Sequence, residues 1–411
     1  MNDLRVIGTN IKILKYNNKV LYGNSENGKW VRVSDEVSSI VENYLDSSDD
    51  FYEKYFFESD EDKNFIHTLI DRMHNDGIIK EKGTSEKRNK IATIETTNNC
   101  NLRCIHCCVN AGEECCFEFS TTELKTVLRK CIEWGANSIN LSGGEPLLRK
   151  DIFEILQFLR KEFDGSITLS TNGTLFTSEN VQKICPMVDQ IDISIDGIDE
   201  LTCSQIRGAG VFSKVLKSVE LLHNQDFWNI SLSMVFSKKN EQYEKQFIEL
   251  NKKLKTKPLP RIIADIGRAR EHVKEFTDDE NEAYIPKSFL KEERTNDLGF
   301  YSCGAARNTI FIRYDGSIYP CPSFMKQKYR LGNVLELDSI ESVTEDNIDD
   351  SVKKHMLNAN MIFSEKCKKC PVKYFCWSCI GDTDRFPTKE ALDMYCKMTK
   401  PILMKRVWGC N

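Results

Sequence analysis

The chain has 411 residues, enough for two or three domains, with a formal net charge of −5 and a pI near 5.9. A balance so close to neutral leaves no electrostatic footprint for nucleic acid or for an anionic membrane surface. The N-terminal MNDLRVIGTNIKILKY has no apolar signal core, and no apolar run is long enough to span a bilayer, so a cytoplasmic protein is expected.

Residues 1–82 contain no cysteine. NIKILKY (10–16), KVLYG (19–23) and KWVRVS (29–34) alternate like short strands joined by turn-like YNN and NSENG. Ser34-Asp35 caps a helix, DEVSSIVENYL, with Val37, Ile40, Val41 and Leu45 on one face. A second amphipathic segment, KNFIHTLIDRMHNDGI, spans 63–78. Residues 83–90 are polar and charged without apolar anchors, and they read as a linker.

From 91 to 266 strand-like and helix-like segments alternate. The strands are IATIET (91–96), SINLSG (138–143), SITLST (166–171), QIDISID (190–196), NISLSMVF (229–236) and RIIADI (261–266). Repeated βα units predict a parallel sheet with outer helices, and six of them make a three-quarter barrel. Sites in such sheets gather at the C-terminal ends of strands. There the chain places Cys100, Cys104 and Cys107, then GGEP (143–146), then TNG (171–173), then Asp196-Gly197.

Seventeen cysteines are the anomaly, and they are clumped: positions 100–116 hold six and positions 367–396 hold five. Disulfide frameworks belong mostly to small secreted chains, whereas clumped thiols bind soft metals or iron–sulfur clusters. Cys131 and Cys185 stand apart and read as packing residues. In NNCNLRCIHCC (98–108) three thiols share one loop. Zinc would want a fourth ligand, and Cys108 is a poor one because consecutive side chains diverge. A cubane held by three cysteines instead leaves one iron open. The cysteine loop alone admits either metal.

CxxxCxxC after a first strand and GGEP after a second resemble the radical S-adenosylmethionine (SAM) superfamily over 91–266. The resemblance implies a partial (β/α)6 barrel and a [4Fe–4S] cluster on Cys100, Cys104 and Cys107, its open iron chelating SAM. It implies that Gly143, Gly144, Glu145 and Pro146 line the methionine amino group. Ser170, Asn172, Ser194 and Asp196 would approach the ribose or carboxylate, and Arg207 would pair with the SAM carboxylate. His106 departs from the family, where an aromatic apolar residue often precedes the last cluster cysteine.

In the third region, 303–411, the spacing runs Cys303-x12-Gly316-x4-Cys321, Cys367-x2-Cys370-x5-Cys376-x2-Cys379, then Cys396. By spacing alone the paired CxxC could be a zinc knuckle. The whole pattern resembles the SPASM extension, a Cys-rich domain with two auxiliary clusters, with the last gap one residue shorter than the commonest form. That implies three [4Fe–4S] clusters in all. Cys303, Cys321 and Cys379 would hold the first auxiliary cluster, and Cys367, Cys370, Cys376 and Cys396 the second. Sulfatase-maturing relatives add a cysteine where this chain has Asp297, so an open iron or a surplus thiol (Cys108, Cys115, Cys116 or Cys410) is left for the first.

A small appended module is often a stability cap or dimerisation arm. Three strands followed by helices and NDGIIKE also resemble the PqqD-like, winged-helix-like leader-recognition element of ribosomal-peptide maturation enzymes. There a leader peptide adds as a strand, here expected between Lys29–Ser34 and the second helix, touching Trp30, Val31, Val33, Phe65, Leu69 and Met73. The expected protein is thus an α/β radical SAM peptide maturase of five parts: 1–82, the linker 83–90, 91–266, a bridge 267–302, and 303–411. Its expected product is a cysteine thioether on a precursor peptide, with a flavodoxin- or ferredoxin-type electron donor and no nucleic-acid or membrane partner; a homodimer is the expected assembly if the module is an arm. The competing products are carbon–carbon or carbon–oxygen cross-links, Cα epimers, or formylglycine; epimerisation needs a thiol hydrogen donor, for which Cys203 is a candidate, although that residue reads first as core packing. The competing class is a non-catalytic electron carrier or leader-binding scaffold.

Overall fold

The computed structural model describes residues 5–47, 50–83, 89–112, 117–264, 266–278, 298–360, 362, 364–376, 379 and 388–409. Asp297, Cys115, Cys116 and Cys410 lie outside the described residues.

At the N-terminal end, β1 (Arg5–Ile7) pairs antiparallel with β5 (Ile79–Glu81). β2 (Ile11–Tyr16), β3 (Lys19–Asn24) and β4 (Trp30–Ser34) form an antiparallel meander. Asn17 and Asn18 join β2 to β3 at φ 46° and 56°, the left-handed pair that a two-residue hairpin needs and Asn tolerates. The Ser34 hydroxyl accepts from Val37 N–H at 3.2 Å and starts α1 (Asp35–Leu45), as its sequence suggests. After α2 (Phe51–Lys54), α3 covers Asp60–Asn75 rather than 63–78. Ser59 caps it early, and Gly77 at φ 65° lies beyond its end.

Both faces of the meander are apolar and both are covered. Val20, Tyr22, Val31 and Val33 pack on Val41, Ile66, Ile70 and Met73 of α1 and α3. Leu14, Tyr16, Leu21 and Trp30 pack on Phe300, Phe375, Leu403, Val407 and Trp408 near the other end of the chain.

The central sheet has six parallel strands in sequence order: β6 (Lys90–Glu95), β7 (Ala136–Ser142), β8 (Ser166–Thr171), β9 (Gln190–Ser194), β10 (Ile230–Phe236) and β11 (Lys257–Ile262). Their outer helices are α4 (Thr121–Glu133), α5 (Ile152–Glu162), α6 (Ser178–Ile184), α7 (Glu200–Arg207), α8 (Val211–His223) and α9 (Glu244–Leu254). β11 begins four residues earlier than the expected 261–266, pairing with β10 from Lys257 through Pro258 and Pro260. An edge strand tolerates prolines because its outward N–H groups need no partner.

The C-terminal region extends this sheet, which its short patterns do not suggest. β12 (Thr309–Ile312) lies parallel to β6, and β13 (Ser317–Tyr319) and β14 (Gly332–Asn333) follow antiparallel. β11 and β14 are the sheet's two ends. Among the described residues three α-helices complete the region: α10 (Asp350–Ala359), α11 (Lys373–Cys376) and α12 (Lys389–Trp408). Among the described residues no helix is long and apolar enough to cross a membrane.

Candidate active site

The loop after β6 is pressed against the loop after β7. Gly144 N donates to Thr97 O and Glu145 N to Asn99 O, each at 2.8 Å. A Cβ on Gly143 would stand 2.4 Å from Thr97 O, and one on Gly144 2.2 Å from Asn99 O. Two glycines are therefore what lets the GGEP loop hold the start of the cysteine loop.

Each of the three loop thiols receives a donor. Leu102 N–H reaches Cys100 Sγ at 3.4 Å, Ala111 N–H reaches Cys107 Sγ at 3.3 Å, and Arg207 Nη1 reaches Cys104 Sγ at 3.6 Å. Burial pushes the Cys100 and Cys104 thiols up, and the sulfurs raise one another. N–H groups aimed at crowded sulfurs are the environment of thiolates neutralised by iron, so the donor set fits a cubane. Among the described residues no three His, Cys, Asp or Glu side chains close on a single-ion point. The loop is also strapped from behind by residues that no motif announces. Arg268 donates from its backbone N to Cys107 O and from Nε to Cys104 O, both at 3.0 Å. Gly267, at φ 59°, makes room, since a Cβ there would meet Cys107 O at 2.3 Å.

Glu145 does not face an open site. Its carboxylate is fully buried and accepts from Thr171 Oγ1 at 2.8 Å, Asn172 N at 2.8 Å and Leu147 N at 3.1 Å. It ties the loops after β7 and β8 together, and burial raises its carboxyl despite those bonds. Asn172 Nδ2 in turn donates to Asn101 Oδ1 at 2.8 Å. Asp196 is likewise engaged within the chain: Oδ2 lies 2.7 Å from His106 Nε2 and accepts from Arg207 Nε at 2.6 Å, and Oδ1 accepts from Val235 N at 2.6 Å. Burial would raise the Asp196 carboxyl, but Arg207 and His106 outweigh it and hold it far below the usual range. Arg207, expected to meet a ligand carboxylate, has Asp196 and Cys104 as its partners here. His106, which departs from the family residue type, is thereby a link between the cysteine loop and β9.

A cavity of about 680 Å³ opens at the C-terminal ends of the strands. Cys100, Cys104, Cys107, Gly143, Gly144, Ser170, Asn172, Ser194 and Arg207 line it together. Glu145, Pro146 and Asp196 lie behind its wall. Glu95, Arg261 and Phe311 also line it, with Pro322, Ser323 and Met325, which follow Cys321. Glu95 was not singled out by the sequence; it is 2 % exposed, its Oε2 accepts from Arg313 Nε at 3.1 Å, and its Oε1 has no hydrogen-bond partner. Burial raises its carboxyl to about 7 against the pull of Arg313. Cys108 is exposed on the cavity wall, yet protein surrounds its thiol closely enough that burial, then Cys107 and Glu95, push it up to about 12. Cys203 is fully buried under Gly197 and does not line the cavity, so it packs rather than donates hydrogen. Cys131 is also fully buried in the core, and Cys185 packs against it.

Two groups of C-terminal sulfurs lie close enough to influence one another. Cys321 feels Cys379 and Cys303, and burial pushes it up to about 12. The Tyr301 hydroxyl donates to Cys303 Sγ and accepts from Asn360 Nδ2 at 3.4 Å. Burial also pushes Cys376 up to about 12, and its sulfur feels Cys367, Cys370 and Cys396.

The expected leader groove is not open. Val31, Val33, Leu69 and Met73 are buried in the module's own core, because the meander packs directly on α3. Phe65 is 56 % exposed, on the outer side of α3. Trp30 donates from Nε1 to Leu298 O at 2.7 Å and meets Phe375 edge-on, facing the C-terminal region instead.

Residues 94–250 match the radical SAM superfamily, and residues 303–371 match the SPASM iron-sulfur cluster-binding domain. The chain carries a radical SAM domain followed by a SPASM domain. These domains imply a [4Fe–4S] cluster and SAM. The antilisterial bacteriocin subtilosin biosynthesis protein AlbA of Bacillus subtilis is 26% identical over 355 residues, covering 78% of this chain and 77% of that protein. The mycofactocin maturase MftC of Mycolicibacterium smegmatis is 26% identical over 271 residues, 61% of this chain and 69% of that protein. Among solved structures, Streptococcus suis SuiB bound to S-adenosylmethionine aligns with a TM-score of 0.53 at 15% identity, covering 90% of this chain and 94% of that one. SuiB has also been solved bound to its precursor peptide SuiA. At that identity the likeness shows the shared α/β radical SAM fold.

Proposed function

We propose that this radical SAM and SPASM chain matures a ribosomally made precursor peptide, joining a cysteine sulfur to a carbon of the peptide as a thioether. Relatives that mature peptides or make a bacteriocin, and a fold shared with SuiB, support the peptide as substrate. In this reading Cys100, Cys104 and Cys107 hold the first cluster, and Gly143, Gly144, Ser170, Asn172 and Ser194 bound the SAM side of the cavity. Arg207, braced by Asp196 and His106, steadies Cys104. When bound, cluster and SAM supply hydrogen-abstracting radical chemistry. Cys303, Cys321 and Cys379 hold the first auxiliary cluster, and Cys367, Cys370, Cys376 and Cys396 the second. Coupling a carbon radical to a thiol releases one electron and one proton, and the auxiliary clusters are the electron's exit. Residues 1–82 recognise the leader by strand addition to the β4 edge of the meander rather than through the buried apolar residues of α3.

One observation carries this reading: a single cavity runs from the three loop thiols to the loop after Cys321. A peptide residue seated there would face both the radical source and the first auxiliary site, in a volume typical of ligand pockets. Anaerobically reconstituted protein given SAM and dithionite should release 5′-deoxyadenosine; none would remove the enzyme reading. Iron should approach about twelve per chain, about four for each cubane. Co-expression with short peptides encoded beside it should cost one of them two hydrogens per cross-link. Inverted stereocentres at unchanged mass would replace the thioether with epimerisation.

A further inference from the structure

Glu95, Glu145 and Asp196 are the buried carboxylates among the described residues. Glu145 accepts on both oxygens, Oε1 from Thr171 and Leu147 and Oε2 from Asn172. Asp196 does the same, Oδ1 from Val235 and Oδ2 from Arg207. Glu95 differs. Its Oε2 accepts from Arg313 Nε, while Oε1, equally closed off from bulk water, has no partner. A carboxylate kept only as a strut between β6 and the turn after β12 would satisfy both oxygens, because an unpaired buried acceptor is costly.

Of the three, Glu95 alone lines the cavity. It ends β6, the strand that β12 joins, so the cysteine loop departs directly after it. The hairpin that carries Arg313 runs on to Cys321. A sulfur already lies within reach of this carboxylate: Glu95 acts on the Cys108 thiol, as does Arg261. Other polar groups on the cavity wall are engaged. His106 and Arg207 hold Asp196, and Arg268 straps the cysteine loop. Asp192 also lines the cavity, but β9 stands three strands from β6, and its Oδ1 accepts from Gln190 Nε2 at 2.8 Å.

We propose that Glu95 Oε1 accepts the proton of the substrate thiol when the thioether forms. The inference rests on the thioether reading and gives a destination to the proton that coupling releases. The peptide S–H bond breaks and a carbon–sulfur bond forms with the carbon radical. The proton passes to Oε1, and the electron passes to an oxidised [4Fe–4S] cluster at the first auxiliary thiols. Burial lifts the Glu95 carboxyl to about 7; Arg313 and the Tyr314 N–H pull it down, and Asp315 adds to the rise. Cys108 is the titratable group that faces it from the cysteine loop, with Arg261 acting on the same sulfur. A base poised near neutrality is both available and strong enough to take a proton in the reaction.

The test uses the full-length reconstituted chain, SAM, dithionite and the peptide encoded beside it that loses two hydrogens on co-expression. It measures the initial rate of cross-linked peptide per 5′-deoxyadenosine from about pH 6 to about pH 9, across the neutral range and the thiol's own ionisation. Dividing by 5′-deoxyadenosine removes the pH dependence of reduction and of SAM cleavage. In the wild type the ratio should rise severalfold through about pH 7. Glu95→Gln, which keeps an oxygen for Arg313, should lower it at least about tenfold at about pH 7. The variant should recover above about pH 8.5, where a free thiol ionises without help. A strut would give no such recovery. A Gln variant equal to the wild type at neutral pH, or one that stays low above the thiol's own ionisation, overturns the proposal. So does an effect found in Asp192→Asn instead. The wild-type profile decides alone if the variant does not fold: a ratio indifferent to pH, or rising only where the thiol ionises, sinks the idea. A wild type that yields no such peptide overturns the thioether reading, and this inference with it.

Discussion

Arg207 Nε donates to Asp196 Oδ2 at 2.6 Å with both side chains buried, which places a guanidinium beside Cys104 Sγ only because a carboxylate holds it there. Asp196→Asn keeps the shape and removes the charge, leaving Arg207 buried without a counter-ion. The expected cost is about 3–5 kcal/mol, read from urea denaturation at neutral pH. The folded carboxyl sits far below its ordinary range, so the pair's contribution is complete above about pH 4 and is lost only as pH falls further. A midpoint that drops between about pH 7 and about pH 5 equally in wild type and variant would have another source.

Glu95 carries the opposite sign. Burial lifts its carboxyl from 4.5 to about 7, so the folded chain holds a proton that the unfolded chain has released. Its contribution is full below about pH 4.5 and fades as pH rises through about 7. Glu95→Gln, which keeps an oxygen for Arg313, should flatten that part of the stability–pH curve while leaving the slope below about pH 4 unchanged. Thermal melts across the interval measure it, and an unchanged slope in the variant would show that Glu95 does not titrate there.

Gly144→Ala would drive a Cβ to 2.2 Å from Asn99 O. Backbone cannot give way as a side-chain tip can, so the loops must part. We expect a stability loss of about 1–3 kcal/mol and loss of 5′-deoxyadenosine formation, with the C-terminal iron retained. Iron analysis and product chromatography on the same sample separate the two effects.

Cys104→Ser and Cys108→Ser should behave as opposites although their thiols share one cavity wall. The first removes a sulfur that Arg207 addresses and should cost about four irons per chain. The second removes a thiol pushed up to about 12, whose backbone donor is only its own N–H, and should leave the iron unchanged. Loss of iron in Cys108→Ser would make it a ligand.

The six βα units were legible because period-2 and period-3.6 patterns alternate and each functional motif falls just after a strand. Cys100, Cys104, Cys107 and the two glycines declared themselves by spacing. The side chains behind them did not. Glu145 and Asp196 sit in the recognisable motifs, but the partners that turn them inward include Thr171 and Asn172, 26 and 27 residues from Glu145, and Val235 and His106, 39 and 90 residues from Asp196, and nothing local marks a carboxylate as spent inward. Arg268 and Glu95 lack any motif; only tertiary packing reveals them. β12 escaped notice because TIFI is too short to show a period, and its partner β6 lies 218 residues before it. The leader groove was misplaced for a different reason. The meander's alternation shows an apolar residue on both faces, which signals two covered faces, and the α3 side is filled by the module itself.

Lys19 Nζ donates to Trp408 O at 2.8 Å across 389 residues, and Tyr16 meets the Trp408 ring at 5.5 Å. The surface that covers Leu14, Tyr16, Leu21 and Trp30 is therefore made almost last. At about 5–20 residues per second, the ribosome leaves that face of the meander bare for roughly 20 to 80 s. A newborn chain must keep an apolar sheet face from sticking to its neighbours for that time. The lysines of β2, Lys12 and Lys15, exposed along the edge of the same sheet, are placed to discourage such pairing.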